Sequence, residues 1–94
     1  MNYFADKKEL RRKYDGDFSQ LRKIINSWNL ISGSPDDEFD SINNKILSEL
    51  YKNADVEKID RILQSELIVY YGLFNDEFDS EVFVNQIMNW WNSK

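Results

Sequence analysis

The chain has 94 residues, of which 41% are hydrophobic and 31% charged, and its formal net charge is −5. These values are ordinary for one folded domain and exclude a mainly disordered chain. The sequence contains no Cys and no His. It therefore has no disulfides, no thiolate chemistry, and no copy of the side chain that most often serves as a general base near neutral pH.

Charge is distributed unevenly along the chain. Residues 1–27 carry seven bases and four acids, whereas residues 28–94 carry five bases and thirteen acids. A negative field of this kind repels nucleic acid and attracts basic partners, so we do not expect a nucleic-acid partner. The basic run in segment 7–13 could form a phosphate-binding face, but a solvated helix face that balances the acidic body is the preferred interpretation. Its members are Lys7, Lys8, Arg11, Arg12 and Lys13.

The N-terminal part predicts two helices. Asp6 and Glu9 have the spacing of a capping box, which predicts a short helix from there to about Tyr14, ended by Asp15-Gly16. Residues 1–16 are accordingly interpreted as a peripheral segment, and residues 17–92 as the helical core of a single domain spanning 1–94. The capping spacing recurs at Asp17 to Gln20. A one-sided apolar stripe then predicts a second helix through Phe18, Leu21, Ile24, Ile25 and Trp28.

Two further helices are predicted after a loop at residues 29–40. The first runs from about Ser41 to Lys52, with Asp40 or Ser41 as its cap. The second runs from Asp55 to about Tyr71. The side chains expected to face inward from these two helices are Ile42, Ile46, Leu47, Leu50, Tyr51, Val56, Ile59, Ile62, Leu63 and Leu67.

Residues 67–71 are apolar nearly all round, which predicts a central position in the fold. Helix is the preferred interpretation, and a buried strand is the alternative, because β-branched and aromatic side chains cluster there. Gly72 suits a left-handed helix end with Leu73 folding back onto the helix. A last helix is predicted from about Ser80 to Asn92. Its wide apolar face indicates either central packing or an exposed patch, and includes Phe83, Val84, Ile87, Met88, Trp90 and Trp91.

Together these elements predict an all-α fold, a compact bundle of four to five helices. The longest nearly apolar run, residues 67–74, is about a third of a membrane span. The first residues also lack an apolar stretch of leader length. We therefore expect a cytoplasmic protein without membrane contact.

Catalytic and metal-binding patterns are missing from the sequence. No phosphate-cradling glycine-rich loop or nucleophile motif occurs. Asp36, Glu38 and Asp40 alternate like the first ligands of a calcium loop, but Ser41 stands at the sixth position and Leu47 at the twelfth, where Gly and Glu are needed. We expect neither enzymatic activity nor a metal or other cofactor.

Two acidic stretches, each with a central Phe, precede apolar helices. Carboxylates around an aromatic side chain suit a surface that binds a basic partner, the acids steering the encounter and the aromatic side chain anchoring it. The alternative is helix capping together with solubility. The predicted partner-binding residues are Asp36, Asp37, Glu38, Phe39 and Asp40, and then Asp76, Glu77, Phe78 and Asp79.

Two resemblances accompany these features. The run IINSWN at residues 24–29, followed by PDDEFD at residues 35–40, resembles the signature of a small helical family of unknown function known from Bacillus-type bacteria. In type, a short acidic helical chain without Cys is similar to bacterial immunity proteins of contact-dependent inhibition or bacteriocin systems. That resemblance implies a monomer or weak homodimer that neutralises a cognate toxin, such as a basic nuclease domain, by occluding its active-site cleft. The alternative function is a regulatory or interaction module that self-associates through its Trp-rich last helix.

Overall fold

The computed structural model describes residues 3–94, with side chains from residue 10 onward, and four α-helices account for most of that part. They are α1 (Tyr3–Ser27), α2 (Asp40–Tyr51), α3 (Val56–Ser65) and α4 (Ser80–Asn92). A π-helical turn, Glu66–Tyr70, continues α3, and a short 3₁₀ turn, Asn75–Glu77, precedes α4. The predicted all-α bundle is thereby confirmed. None of the helices in residues 3–94 has the length and apolar character needed to cross a membrane.

The four helices enclose one apolar core. Helix α2 packs on α1 and α3, and α4 packs on α3 and α1. Contacts such as Arg22 with Asp40, Lys45 with Glu66 and Gln20 with Trp90 show that α2 is antiparallel to α1 and α3, and α4 to α1. Since α1 and α3 therefore run in the same direction, α4 is also antiparallel to α3. Among the described residues, the fully buried apolar side chains come from all four helices and the π-turn, and are Leu21, Ile25, Ile42, Ile46, Leu47, Leu50, Ile59, Leu63, Leu67, Val84 and Ile87.

Helix α1 is continuous through Asp15-Gly16, so the predicted break there is wrong. Residues on either side of Gly16 have partners in α2: the Tyr14 hydroxyl donates to Asn44 Oδ1 over 2.8 Å, and the Tyr51 hydroxyl donates to Asp17 Oδ2 over 2.5 Å. These contacts offset the cost of about 1 kcal/mol for glycine inside a helix. The prediction of a helix start at Asp17 is wrong for the same reason, because its carboxylate binds side chains and not helix amides.

The earlier capping box also lies within α1. The helix is already formed at Tyr3, so the backbone of Asp6 is not at a helix start, and the side chains of Asp6 and Glu9 lie outside the described residues. Tyr14 and Asp17 pack near the end of α2, so the preceding turns of α1 run past that end. A peripheral role for residues 1–16 stays a prediction, and no loop separates residues 3–16 from the rest of α1.

One glycine substitution tests the continuity of α1, and a second, outside α1, serves as its comparison. Gly16→Ala is expected to stabilise the protein by about 1 kcal/mol, because no atom lies within 4 Å of an added Cβ and alanine is the better helix former. Gly72→Ala, at a φ of +72° and also without a clash, is expected to destabilise it by about 1–2 kcal/mol. Urea unfolding of both variants measures the two signs. If Gly16→Ala destabilises the protein, a turn and not a helix passes through residue 16.

The segment after α3 is helical, which confirms helix over strand for residues 67–71. The Tyr71 amide donates to the Glu66 carbonyl over 3.1 Å, the i→i+5 bond of a π-turn. Gly72 is left-handed, as predicted, and the Leu73 amide returns to the Leu67 carbonyl over 2.9 Å. The predicted central position is wrong for Val69 and Tyr70, which are exposed, whereas Tyr71 packs partly buried against the core.

The Trp-rich helix α4 packs inside the bundle. Val84 and Ile87 are buried, and Phe83, Met88, Trp90 and Trp91 pack partly buried against the core. The Trp28 and Trp90 indoles donate to the side chains of Gln86 and Gln20 over 2.5 and 2.8 Å. The face suggested for self-association is therefore occupied by contacts within the chain.

Three local expectations need correction. Phe39, and not Asp40 or Ser41, occupies the N-cap position of α2, and no side chain caps that helix. Tyr51 and Val56, predicted to face inward, are exposed. Both lie next to the α2–α3 connection. The exposed Tyr51 still packs its ring against Tyr14 of α1 and Trp91 of α4.

Candidate functional site

The structure brings the two acidic loops to the same end of the bundle. The first loop joins α1 to α2, the second joins α3 to α4, and α1 and α3 run in the same direction. Tyr71 connects them: its hydroxyl donates to the Glu38 carbonyl over 2.7 Å, and its ring lies 5.1 Å from that of Phe39. We call residues 35–40 together with 74–81 the acidic end.

The first loop presents three carboxylates to solvent. Its backbone is held by bonds of the Glu38 and Asp40 amides to the Pro35 and Asp37 carbonyls, at 3.1 and 3.2 Å. The Asn26 side chain also donates to the Asp36 carbonyl over 2.9 Å. Because only backbone atoms of residues 36–38 serve these contacts, the exposed carboxylates of Asp36, Asp37 and Glu38 have no partner among the described residues.

Asp40 is committed to an ion pair within the fold. Its Oδ1 accepts from Arg22 Nε over 3.0 Å, and its Oδ2 accepts from the Arg22 Nη2, so the guanidinium is held in a two-point fork. The hydrogen bond to Asp40 raises the pKa of Arg22, and the nearby charges of Asp37 and Asp36 add to that effect. This pair joins α1 to α2 and adds little net charge to the surface.

The two phenylalanines predicted as anchors lie in different surroundings. Phe39 is only 4% exposed and belongs to the core. Phe78 is half-buried, with its ring stacked 6.5 Å from Phe83, which in turn stacks on Trp28 at 4.0 Å. Phe39 therefore contributes nothing to the outer surface of the acidic end, and Phe78 contributes only its free edge.

In the second loop, two acids accept local hydrogen bonds and a third is exposed to solvent. Asp79 caps α4 by accepting from the Val82 amide over 3.2 Å, and Glu77 Oε2 accepts from the Phe74 amide over 2.6 Å. Asp76 is exposed and has no partner among the described residues. Helix capping, the alternative interpretation of both loops, thus holds for the second loop and not for the first.

A concave region lies between α2 and α3. It is a groove of about 960 Å³, and charged side chains line it. Four of them are paired: Lys45 binds Glu66, and Lys58 Nζ lies 2.8 Å from Glu49 Oε2. Arg61 also lines the groove and has no ion-pair partner among the described residues. The hydrogen bond from Lys58 is the main cause that lowers the pKa of Glu49. We infer that these ion pairs stabilise the packing of α2 against α3.

Metal binding finds no support in the side chains that the structure describes. Among them, no three Asp or Glu residues converge as they would around a metal ion.

Arg11, Arg12 and Lys13 are exposed on α1, and the side chains of Lys7 and Lys8 lie outside the described part. These bases lie toward the end of the bundle opposite the acidic end.

Comparison of the chain with protein-family models, curated proteins and solved structures finds no match.

Proposed function

We propose that the chain is an immunity-type inhibitor that binds a basic toxin domain through the acidic end and blocks the entry of substrate. The observation that supports this most is the meeting of both acidic loops at one end of the bundle. There, Asp36, Asp37, Glu38 and Asp76 are exposed and free of partners among the described residues. Partner binding by Phe39, Asp40 and the remaining predicted residues stays a prediction. Phe39 is buried and Asp40 is paired with Arg22, so both side chains are already used in contacts within the chain.

Electrostatics supports a basic partner. Exposed like charges that share one end of a small protein produce a field that speeds association with a positive cleft, by a factor that salt reduces. The exposed bases Arg11, Arg12 and Lys13 on α1 lie toward the other end. Such a charge separation orients the molecule so that the acidic end meets a basic surface first.

An inhibitor that blocks a cleft needs no catalytic groups of its own. A cleft that binds phosphates presents Lys and Arg side chains, and surface carboxylates can pair with these groups in place of the nucleic-acid backbone. The chain has no His or Cys to supply a nucleophile or a neutral-pH base. We place this inhibitor in the cytoplasm as a monomer, where it would meet a toxin that enters the cell.

Charge reversal tests the proposal with a matched control. The test variant Asp37→Lys/Asp76→Lys takes one acid from each loop. The control Asp15→Lys/Glu57→Lys makes the same change in net charge at exposed acids outside the acidic end. Each is co-expressed with a toxin domain whose toxicity the natural chain suppresses, and growth and association rate are measured.

The control is expected to restore growth as the natural chain does, whereas the test variant fails and associates about tenfold more slowly or worse at low salt. Equal protection by both variants would contradict the proposal. Circular dichroism melting confirms that both variants fold.

A further inference from the structure

Three apolar side chains stand in solvent beside the acidic end. Val69 is 80% exposed, Tyr70 71% and Phe74 73%, and all three fall within six residues. We call them the apolar patch. Among the described side chains, the other large exposed hydrophobics are distributed over α1, α2, α3 and α4, and are Leu10, Tyr51, Val56 and Val82.

The π-turn and the left-handed glycine account for this exposure. Leu67 ends the buried stripe of α3, and the wider turn that follows rotates Val69 and Tyr70 away from the core. Gly72 then reverses the chain, Leu73 packs back against the core, and Phe74 is left outside. Defined backbone hydrogen bonds thus keep these apolar side chains exposed to solvent.

Two members of the apolar patch are joined to the acidic loops. The Tyr70 ring meets the Tyr71 ring edge-on at 5.0 Å, and Tyr71 binds Glu38 in the first loop. Phe74 is tied through its amide to Glu77 in the second loop. An apolar centre with a charged rim is the usual anatomy of a protein interface, and tyrosine is among the residues that contribute most to binding.

We propose that Val69, Tyr70 and Phe74 anchor a basic protein segment in which a large apolar side chain is flanked by Lys or Arg. This inference rests on the proposed function and specifies the chemistry of the partner. Charge complementarity selects the occupant. A second copy would bring the same carboxylates face to face, and nucleic acid or an anionic membrane would be repelled.

Peptide binding tests the apolar patch separately from the acidic loops. The probes are two nine-residue peptides, each with four lysines on either side of a central residue, which is Trp in one and Ser in the other. Fluorescence anisotropy of labelled peptides at several salt concentrations gives their affinities. The variants are Tyr70→Ser/Phe74→Ser and the charge-reversal pair Asp37→Lys/Asp76→Lys. Leu10→Ser/Val56→Ser is the matched control at exposed positions away from the acidic end.

The natural chain and the control are expected to prefer the Trp peptide by about tenfold or more, since each central anchor of an interface typically contributes that much. Tyr70→Ser/Phe74→Ser should lose the preference and keep the salt-dependent affinity for both peptides. Asp37→Lys/Asp76→Lys should lose affinity for both.

Each failure has its own signature. If the Tyr70→Ser/Phe74→Ser variant retains the preference, the anchoring role is wrong and the proposed function stands. If Asp37→Lys/Asp76→Lys binds both peptides normally, the proposed function itself fails. A dimer seen in sedimentation and abolished by Tyr70→Ser/Phe74→Ser would overturn the choice of occupant in favour of a second copy.

Discussion

Replacing Phe39 with alanine is expected to lower the free energy of unfolding by about 3–5 kcal/mol. The side chain is 4% exposed, and its ring packs against Tyr71 at the point where α2 begins and the π-turn after α3 ends. Removing it takes away buried apolar surface and leaves a cavity between the two acidic loops. Urea unfolding followed by tryptophan fluorescence measures the loss.

Phe74→Ala provides the control for this substitution. Phe74 also lies next to the acidic residues, but it is 73% exposed, so its removal is expected to change stability by no more than about 0.5 kcal/mol. Similar small losses from both variants would show that Phe39 is a surface residue after all. A large loss from Phe39→Ala also means that reduced partner binding by that variant reports unfolding and not a lost contact.

Asp17→Asn is expected to destabilise the protein by about 2 kcal/mol at neutral pH, because charged hydrogen bonds are lost inside the fold. Asp17 is 3% exposed, and its carboxylate accepts from the Tyr51 hydroxyl at 2.5 Å and from the Lys94 ammonium. The carboxylate thereby joins α1 to the ends of α2 and α4. The exposed neighbour Asp15 offers the matched control, since Asp15→Asn should leave stability nearly unchanged.

The effect of Asp17 on stability should depend on pH in a defined direction. Burial alone would raise the pKa of Asp17, but hydrogen bonds from Lys94 and Tyr51 and the charges of Lys94 and Lys13 lower it below its ordinary 3.8. A lowered folded-state pKa gives stability that is complete above the unfolded value and is lost as pH falls through the folded value. The difference between the natural chain and Asp17→Asn should therefore be constant near neutrality and shrink below about pH 3.8. A difference that does not change with pH would exclude the charged contact as its cause.

Helical periodicity predicted the parts of the fold that depend on local pattern. The stripes containing Leu21 and Ile25, Ile46 and Leu50, and Ile87 are buried as expected, because a side chain's face on a helix follows from its spacing. Gly72 in the left-handed region was likewise predictable from its place after an apolar segment. These features need no knowledge of distant contacts.

The remaining features depend on residues far apart in sequence. Gly16 carries a local signal to stop a helix, but Asn44 and Tyr51 bind the residues beside it and override that signal. Phe39 resembles a surface aromatic because acids surround it in sequence, whereas the contact with Tyr71 buries it. No known short pattern specifies the π-turn after Ser65, so the exposure of the apolar patch was not predicted.

The convergence of the two acidic loops follows from topology. Four consecutive antiparallel helices place the first and third connections at one end, so even the predicted element order contained this information once the false break at Gly16 was removed. The acids that remain free of structural duties, such as Asp37 and Asp76, could not be separated from those that cap or pair, such as Asp79 and Asp40. That separation needs the hydrogen-bond partners.

The acidic end as the docking surface is tested most directly by mapping amide chemical shifts of the ¹⁵N-labelled chain during titration with the basic toxin domain proposed as its partner. We expect the shifted amides to cluster in residues 36–40 and 69–81, and the shifts to be diminished in Asp37→Lys/Asp76→Lys. Shifts confined to the groove between α2 and α3, or to the basic part of α1, would contradict docking at the acidic end.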